Sequence, residues 1–183
     1  MRKGELQVDI FAHAAYGATL FSRTGMAGRQ QGAKRGSYLR DWTLWVAVGF
    51  GMIPDLASIG AYFLQMLLRG DSPAFHALPS TVFVLYHCTH SLLTASLVLG
   101  ILYLLARPLL IPALAWPLHI LMDSFSHGVG HWQTLMLYPL SDWHYHGINW
   151  WQHPGFILGY WGVLPFVWGA LYVWRRNARE LPK

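Results

Sequence analysis

Apolar residues in this chain come in long unbroken runs, with neither the strict alternation of a half-buried strand nor the three-and-four spacing of a soluble amphipathic helix. Residues 42–68 contain a single formal charge, Asp55, and residues 78–106 and 155–174 contain none. Each run matches or exceeds the roughly 20 residues that cross a bilayer as a helix. A fourth run, 108–122, is shorter and reaches spanning length only by continuing through Asp123 toward Phe125. Residues 6–21 are apolar but carry Asp9 and His13, so they read as a short span, a re-entrant piece or an interfacial helix. A fifth span over residues 6–22 is the favoured reading, because it would bring His13 to the depth of the other buried histidines. The pattern predicts an all-α polytopic membrane bundle of four to five transmembrane helices, a single integral membrane domain over residues 1–183.

Composition agrees with this: of 183 residues, 54% are hydrophobic and only 11% charged, too oily for an ordinary soluble domain. The net charge of +5 does not call for nucleic acid, because the basic residues sit where topology would put them. Arg23, Arg29, Lys34, Arg35 and Arg40 precede the first long run, Arg107 separates the second from the next, and Arg175, Arg176, Arg179 and Lys183 follow the last. By the positive-inside rule, the basic linker (22–41), the turn at Arg107 and the C-terminus are cytoplasmic. The aromatic and histidine-rich segment 127–154 then faces outward, as an interfacial belt or as a lid over a site beneath it. One cysteine, Cys88, excludes an intramolecular disulfide.

Ionisable residues inside apolar spans cost several kcal/mol each unless partnered, so they mark sites. Asp55 follows Pro54, which removes a backbone donor and predicts a kink beside the carboxylate. His87 and His90 lie three residues apart and are expected on neighbouring positions of one helical face. His119 and Asp123 form a His-x-x-x-Asp pair whose spacing lets both reach one ion, or lets one bind while the other orients a ligand. His127 and His131 extend the same ladder, but Gly128 and Gly130 are expected to end the helix and leave them at a rim. Asp9 and His13 repeat the four-residue pairing on the first segment.

In their order along the chain these pieces resemble the YdjM-like family of bacterial inner-membrane proteins, described as membrane-bound metal-dependent hydrolases. The resemblance rests on His13, Pro54-Asp55, Thr89-His90-Ser91, His119 with Asp123, Gly128, and Tyr138-Pro139-Leu140-Ser141. Members usually carry another acid or histidine just after Pro-Asp, where Leu56, Ala57 and Ser58 stand here, which tells against a two-metal site. His87 is at best a displaced counterpart of a family histidine. The resemblance implies a bacterial inner-membrane location, a hydrolytic class and no particular substrate.

Mixed carboxylates and imidazoles without a cysteine cluster suit zinc, with manganese or iron as alternatives. The expected metal ligands are His13, Asp55, His90, Asp123 and His119, with His87 as an outlying candidate. His119 and Asp123 are also the expected catalytic residues, His119 as ligand, orienting group or acid/base. The expected activity is hydrolysis of an ester or phosphoester of a membrane lipid or lipid-linked substrate. Two other classes stay open: a haem-binding electron carrier, which the two carboxylates disfavour, and an ion- or proton-conducting protein.

Overall fold

A computed structural model describes residues 9–30, 38–72 and 78–177. Among the described residues nine α-helices form the framework: α1 (Ile10–Phe21), α2 (Ala27–Gln30), α3 (Trp42–Asp55), α4 (Ala61–Arg69), α5 (Ser80–Thr89), α6 (Leu92–Leu105), α7 (Leu110–Ala113), α8 (Ala115–Ser126) and α9 (Pro154–Asn177). No strand is present among the described residues; only an isolated bridge joins Leu135 and His144. Three continuous helical stretches are long and apolar enough to cross a membrane: Trp42–Arg69, Arg107–Ser126 and Pro154–Asn177. Over the described residues the chain is an all-α membrane protein with three candidate spans, or four if the bent pair α5–α6 counts as one.

Two expectations change. The second apolar run is not one straight helix: it breaks at His90 and Ser91, and the two halves diverge by 53°. The first segment is not a described span, since α1 has 12 residues, about 18 Å of helix against a hydrocarbon core of about 30 Å. The remainder of the expected fifth span, residues 6–8, lies outside the described residues, as does most of the linker between Gln30 and Tyr38.

His13 reaches depth by another route. Helix α1 pairs antiparallel with α3, and a Cβ on Gly51 would come within 2.8 Å of the His13 carbonyl oxygen. A Cβ on Gly17 would meet Ala115 and the Ala47 carbonyl at 2.8 and 2.9 Å. Small residues therefore let three backbones approach closely, the usual way helices associate in lipid. The half-length helix starts at the level of Gly51 and runs down to the basic end of the bundle.

At that end Asp41 ties the two helices together. Its carboxylate caps α3, accepting from the Thr43 N–H (3.0 Å) and hydroxyl (2.6 Å), and accepts from the Thr24 N–H at 2.8 Å. Burial pushes the carboxyl group up, but the bonds from Thr43 and Thr24 outweigh it and hold its pKa below the usual value. A lowered folded pKa stabilises above the unfolded pKa and is lost as pH falls through the folded one. Asp41→Ala should therefore cost about 1 kcal/mol near neutral pH. In thermal unfolding of detergent-solubilised protein, that difference from wild type should shrink once the pH drops below about 4.

Proline and hydroxyl chemistry shapes the other end. Pro54 lies in the last turn of α3, and a π-helical turn (Leu56–Gly60) follows it before α4. Such turns are common at functional sites. The Pro54 carbonyl accepts from the Ser58 hydroxyl at 2.8 Å and from the Thr89 hydroxyl at 3.0 Å, so the irregular turn of one helix is pinned to the break of another. Beyond the break, Ser91 caps α6 through the Leu93 N–H and donates to the Tyr138 carbonyl at 2.7 Å. The Trp116 indole donates to the Thr89 carbonyl at 2.8 Å.

The segment after α8 folds back over that helix. The Ile148 N–H donates to the Phe125 carbonyl at 2.9 Å, and Gly147 lies so close to the last turn that a Cβ there would meet three of its carbonyl oxygens at 2.5–2.7 Å. Helix α9 lies along α1 through Trp161 to Asp9, Trp168 to Thr19, and Arg175 to the Thr24 and Gly25 carbonyls. Of its own length only Leu164 and Leu171 are buried.

Candidate metal centre

Helices α3 and α8 run parallel with matched four-residue steps, so Gly51 meets His119 where Asp55 and Asp123 face each other one turn on. The α5–α6 break delivers His90 between them. His90, His119, Asp123 and Asp55 are all buried, at 0, 1, 1 and 4% exposure. One ligand atom from each of these four residues falls within 4.8 Å of every other, a group that could hold a metal ion.

The two imidazoles are oriented from behind. His90 Nδ1 lies 2.9 Å from the Tyr86 carbonyl and His119 Nδ1 lies 2.7 Å from the Gly51 carbonyl. A carbonyl oxygen can only accept, so each Nδ1 carries a hydrogen, and the neutral form of each ring turns an unprotonated Nε2 inward. Those two Nε2 atoms are 3.1 Å apart. His90 Nε2 is 3.4 Å from Asp55 Oδ1 and 3.2 Å from Asp123 Oδ2, and His119 Nε2 is 3.1 Å from Asp123 Oδ2 and 3.8 Å from Asp55 Oδ2. In their neutral form the two rings thus turn two nitrogen electron pairs toward the two carboxylates.

A cation resolves this. The Asp55 Oδ2 atom and both oxygens of Asp123 are buried and meet no donor in hydrogen-bond geometry, a condition expensive to leave uncompensated at low dielectric. Bonds of about 2.0–2.1 Å to a tetrahedral ion hold neighbouring ligand atoms roughly 3.3–3.4 Å apart, close to most of the separations observed. A divalent ion would also cancel the two carboxylate charges, which no Lys or Arg in the cluster does. The donor set fits a metal ion in number, spacing and charge.

The expected residues distribute unequally around this group. His13 is outside the four: its Nε2 lies 3.0 Å from Asp123 Oδ1, the oxygen turned away from the other imidazoles, and its ring stacks on His119 at 3.8 Å. It buttresses two ligands at once. Asp9, its partner in sequence, caps α1 and accepts from the Trp161 indole. His87, expected as an outlying ligand, joins neither the four nor His13. His90 folds back over the Tyr86 turn, stacking on the Tyr86 ring at 3.8 Å, so its face is that of Tyr86, about 100° round the helix from His87. His87 instead sits beside Tyr138 and lines an outer pocket with Phe83 and His131.

His127, expected at a rim, is nearer than that. As the residue that ends α8 it is mostly buried, with Nδ1 3.8 Å from Asp123 Oδ2 and 3.4 Å from the Tyr86 hydroxyl. Tyr86 escaped the sequence reading, although it stands one turn before His90 and could have been found as the residue beneath that imidazole. Its hydroxyl donates to the Trp132 carbonyl at 3.1 Å. Loss of an outer partner of a metal ligand typically weakens binding about 10–100-fold. Zinc titration by competition with a chromophoric chelator should show a loss of that size for His13→Ala and none for His87→Ala.

Fold and site together define a helical membrane protein with a buried His₂Asp₂ group suited to one metal ion. Comparison with protein-family models, with curated proteins and with solved structures finds no match to this chain.

Proposed function

We propose that the protein is a membrane-embedded, metal-dependent hydrolase that cleaves an ester or phosphoester of a lipid or lipid-linked substrate. The observation that carries this is the buried convergence of His90 Nε2, His119 Nε2 and the Asp55 and Asp123 carboxylates within 4.8 Å of one another. Two nitrogens and two carboxylate oxygens favour zinc, with manganese or iron as alternatives. A divalent ion there would supply Lewis acidity, polarising an ester or phosphoryl oxygen and acidifying water. Asp55, His90, His119 and Asp123 would hold it, and His13 would fix Asp123. With its Nδ1–H engaged by Gly51 and its Nε2 in the group, His119 acts as a ligand, and proton transfer falls to His127 at the edge of the group. The ordered motifs support membership of the YdjM-like hydrolases. Under the positive-inside rule the basic end and the C-terminus are cytoplasmic, and the group opens to the outer side of a bacterial inner membrane.

Purified protein in detergent, reconstituted with zinc and offered a panel of phosphatidic acid, lysophospholipid and prenyl phosphate, should hydrolyse at least one member. Chelation should abolish the turnover and added zinc restore it. Zinc bound near one equivalent with no turnover of any ester would favour a structural or transport role for the ion.

A further inference from the structure

The Tyr86 ring that lies on His90 packs against Trp132 at 5.1 Å, and Trp132 packs against Phe83 at 5.2 Å. Phe83 belongs to an open pocket of about 480 Å³ that contains none of the four metal-site residues. Ser80, Phe83 and His87 line it from α5, three and four residues apart and so along one face over about 10 Å. Gly130, His131 and Gln133 line it from a turn that the Gln133 N–H closes on the Gly130 carbonyl at 3.1 Å. We propose that this pocket binds a sugar, either free or as the head of a glycolipid. This rests on the pocket alone and is independent of the hydrolase reading.

Size, charge and surface chemistry agree on that class. The volume falls within the roughly 300–1,000 Å³ of small-molecule sites. No Asp, Glu, Lys or Arg is among the lining residues, so an ion entering would give up hydration without gaining an opposite charge. Two imidazoles are too few for a metal: among the described residues one group brings three or more ligand atoms together, and neither His87 nor His131 belongs to it. The polar groups that remain can all both donate and accept: the Ser80 hydroxyl, the Gln133 amide and two imidazoles. Every hydroxyl of a sugar has the same double capacity. His87 Nδ1 is buried with no hydrogen-bond partner, so no neighbour imposes its tautomer and Nε2 can donate or accept as a ligand requires. Gln133 is set by contrast: its Oε1 accepts from the Gly130 N–H at 3.4 Å, which leaves its NH₂ to donate. Leu78 and Phe83 supply the apolar surface, and Phe83 is fixed against His131 at 5.3 Å as well as Trp132. The negative face of such a ring suits the polarised C–H groups of a pyranose.

The test uses the full chain in phosphatidylcholine nanodiscs, which bring no sugar of their own. Ligand-observed NMR follows methyl glucoside, methyl galactoside and methyl N-acetylglucosaminide by proton signals, and inorganic phosphate by phosphorus. At least one sugar should bind saturably, and His87→Ala and Gln133→Ala should each weaken it about tenfold, the factor that 1.4 kcal/mol gives. Leu104→Ala, exposed on α6, should leave it unchanged. His131→Ala, whose side chain is exposed, replaces either pocket variant that lowers the unfolding temperature. Displacement of the bound sugar by a glycosyl diacylglycerol built into the disc would make the ligand a glycolipid head, and no displacement a free sugar; each supports the site. Three results would overturn it: no sugar that saturates, sugar binding that no pocket variant weakens, or phosphate binding that His87→Ala abolishes while no sugar binds.

Discussion

Asp123→Ala should leave the protein folded and strip it of metal. Asp123 is the shared element of the group: one carboxylate oxygen faces His90 and His119 at 3.2 and 3.1 Å, and the other faces His13 at 3.0 Å. Removing it deletes a ligand atom and leaves Asp55 as the group's sole negative charge. It also frees His13 from what it buttresses. The loss of affinity should exceed the roughly 10–100-fold that an outer partner contributes, enough to bring the metal content of purified protein from near one equivalent to near zero. Emission spectrometry of wild type and variant, with circular dichroism to show that helix content is kept, checks this. Retention of a full equivalent of zinc by the variant would remove the assignment of the group as a metal site. His90→Ala should behave in the same way, which separates loss of a ligand from an effect peculiar to one carboxylate.

Gly51→Val should act through packing and reach the same site from outside. A first side-chain atom at this position would stand 2.8 Å from the His13 carbonyl oxygen and 3.1 Å from its carbon. These are backbone atoms, which cannot rotate away, so α1 must separate from α3. Overpacking of this kind costs on the order of 1–3 kcal/mol. The displacement also moves His13 off Asp123 and shifts the Gly51 carbonyl that orients His119. Reduced thermal stability in detergent together with weaker zinc binding is the expected pair of results. A stable variant with wild-type zinc affinity would show that α1 is not needed to hold the site.

The sequence shows why the site residues stand out but not how they meet. Asp55, His90, His119 and Asp123 were visible because each is a polar residue in an apolar run, where solvation alone makes an unpartnered group untenable. His87 looked equal to His90 by the same logic. Nothing local marks His90 as the residue that folds back onto the Tyr86 carbonyl and takes that turn's face. His127 shows the opposite error: the glycines after it do signal the end of α8, but its burial comes from Gly147 and Ile148 pressing on the last turn from about twenty residues away. His13 posed a depth problem that sequence rules could solve only with another full span. The structure solves it with a half-length helix held by Gly17 and Gly51, because close backbone approach depends on what lies across the interface.

By itself, then, the sequence determined the solvent and the chemistry. Apolar runs of spanning length fix a helical membrane protein, since lipid cannot satisfy an exposed backbone, and the polar residues within those runs are the ones that must find partners. The tertiary structure alone decided which partners they found. Parallel α3 and α8 set Asp55 beside Asp123, the bend between α5 and α6 delivers His90 and turns His87 away, and two backbone carbonyls choose the tautomers that aim both imidazoles inward. Those outcomes depend on distances between residues far apart in the chain, which no local pattern encodes.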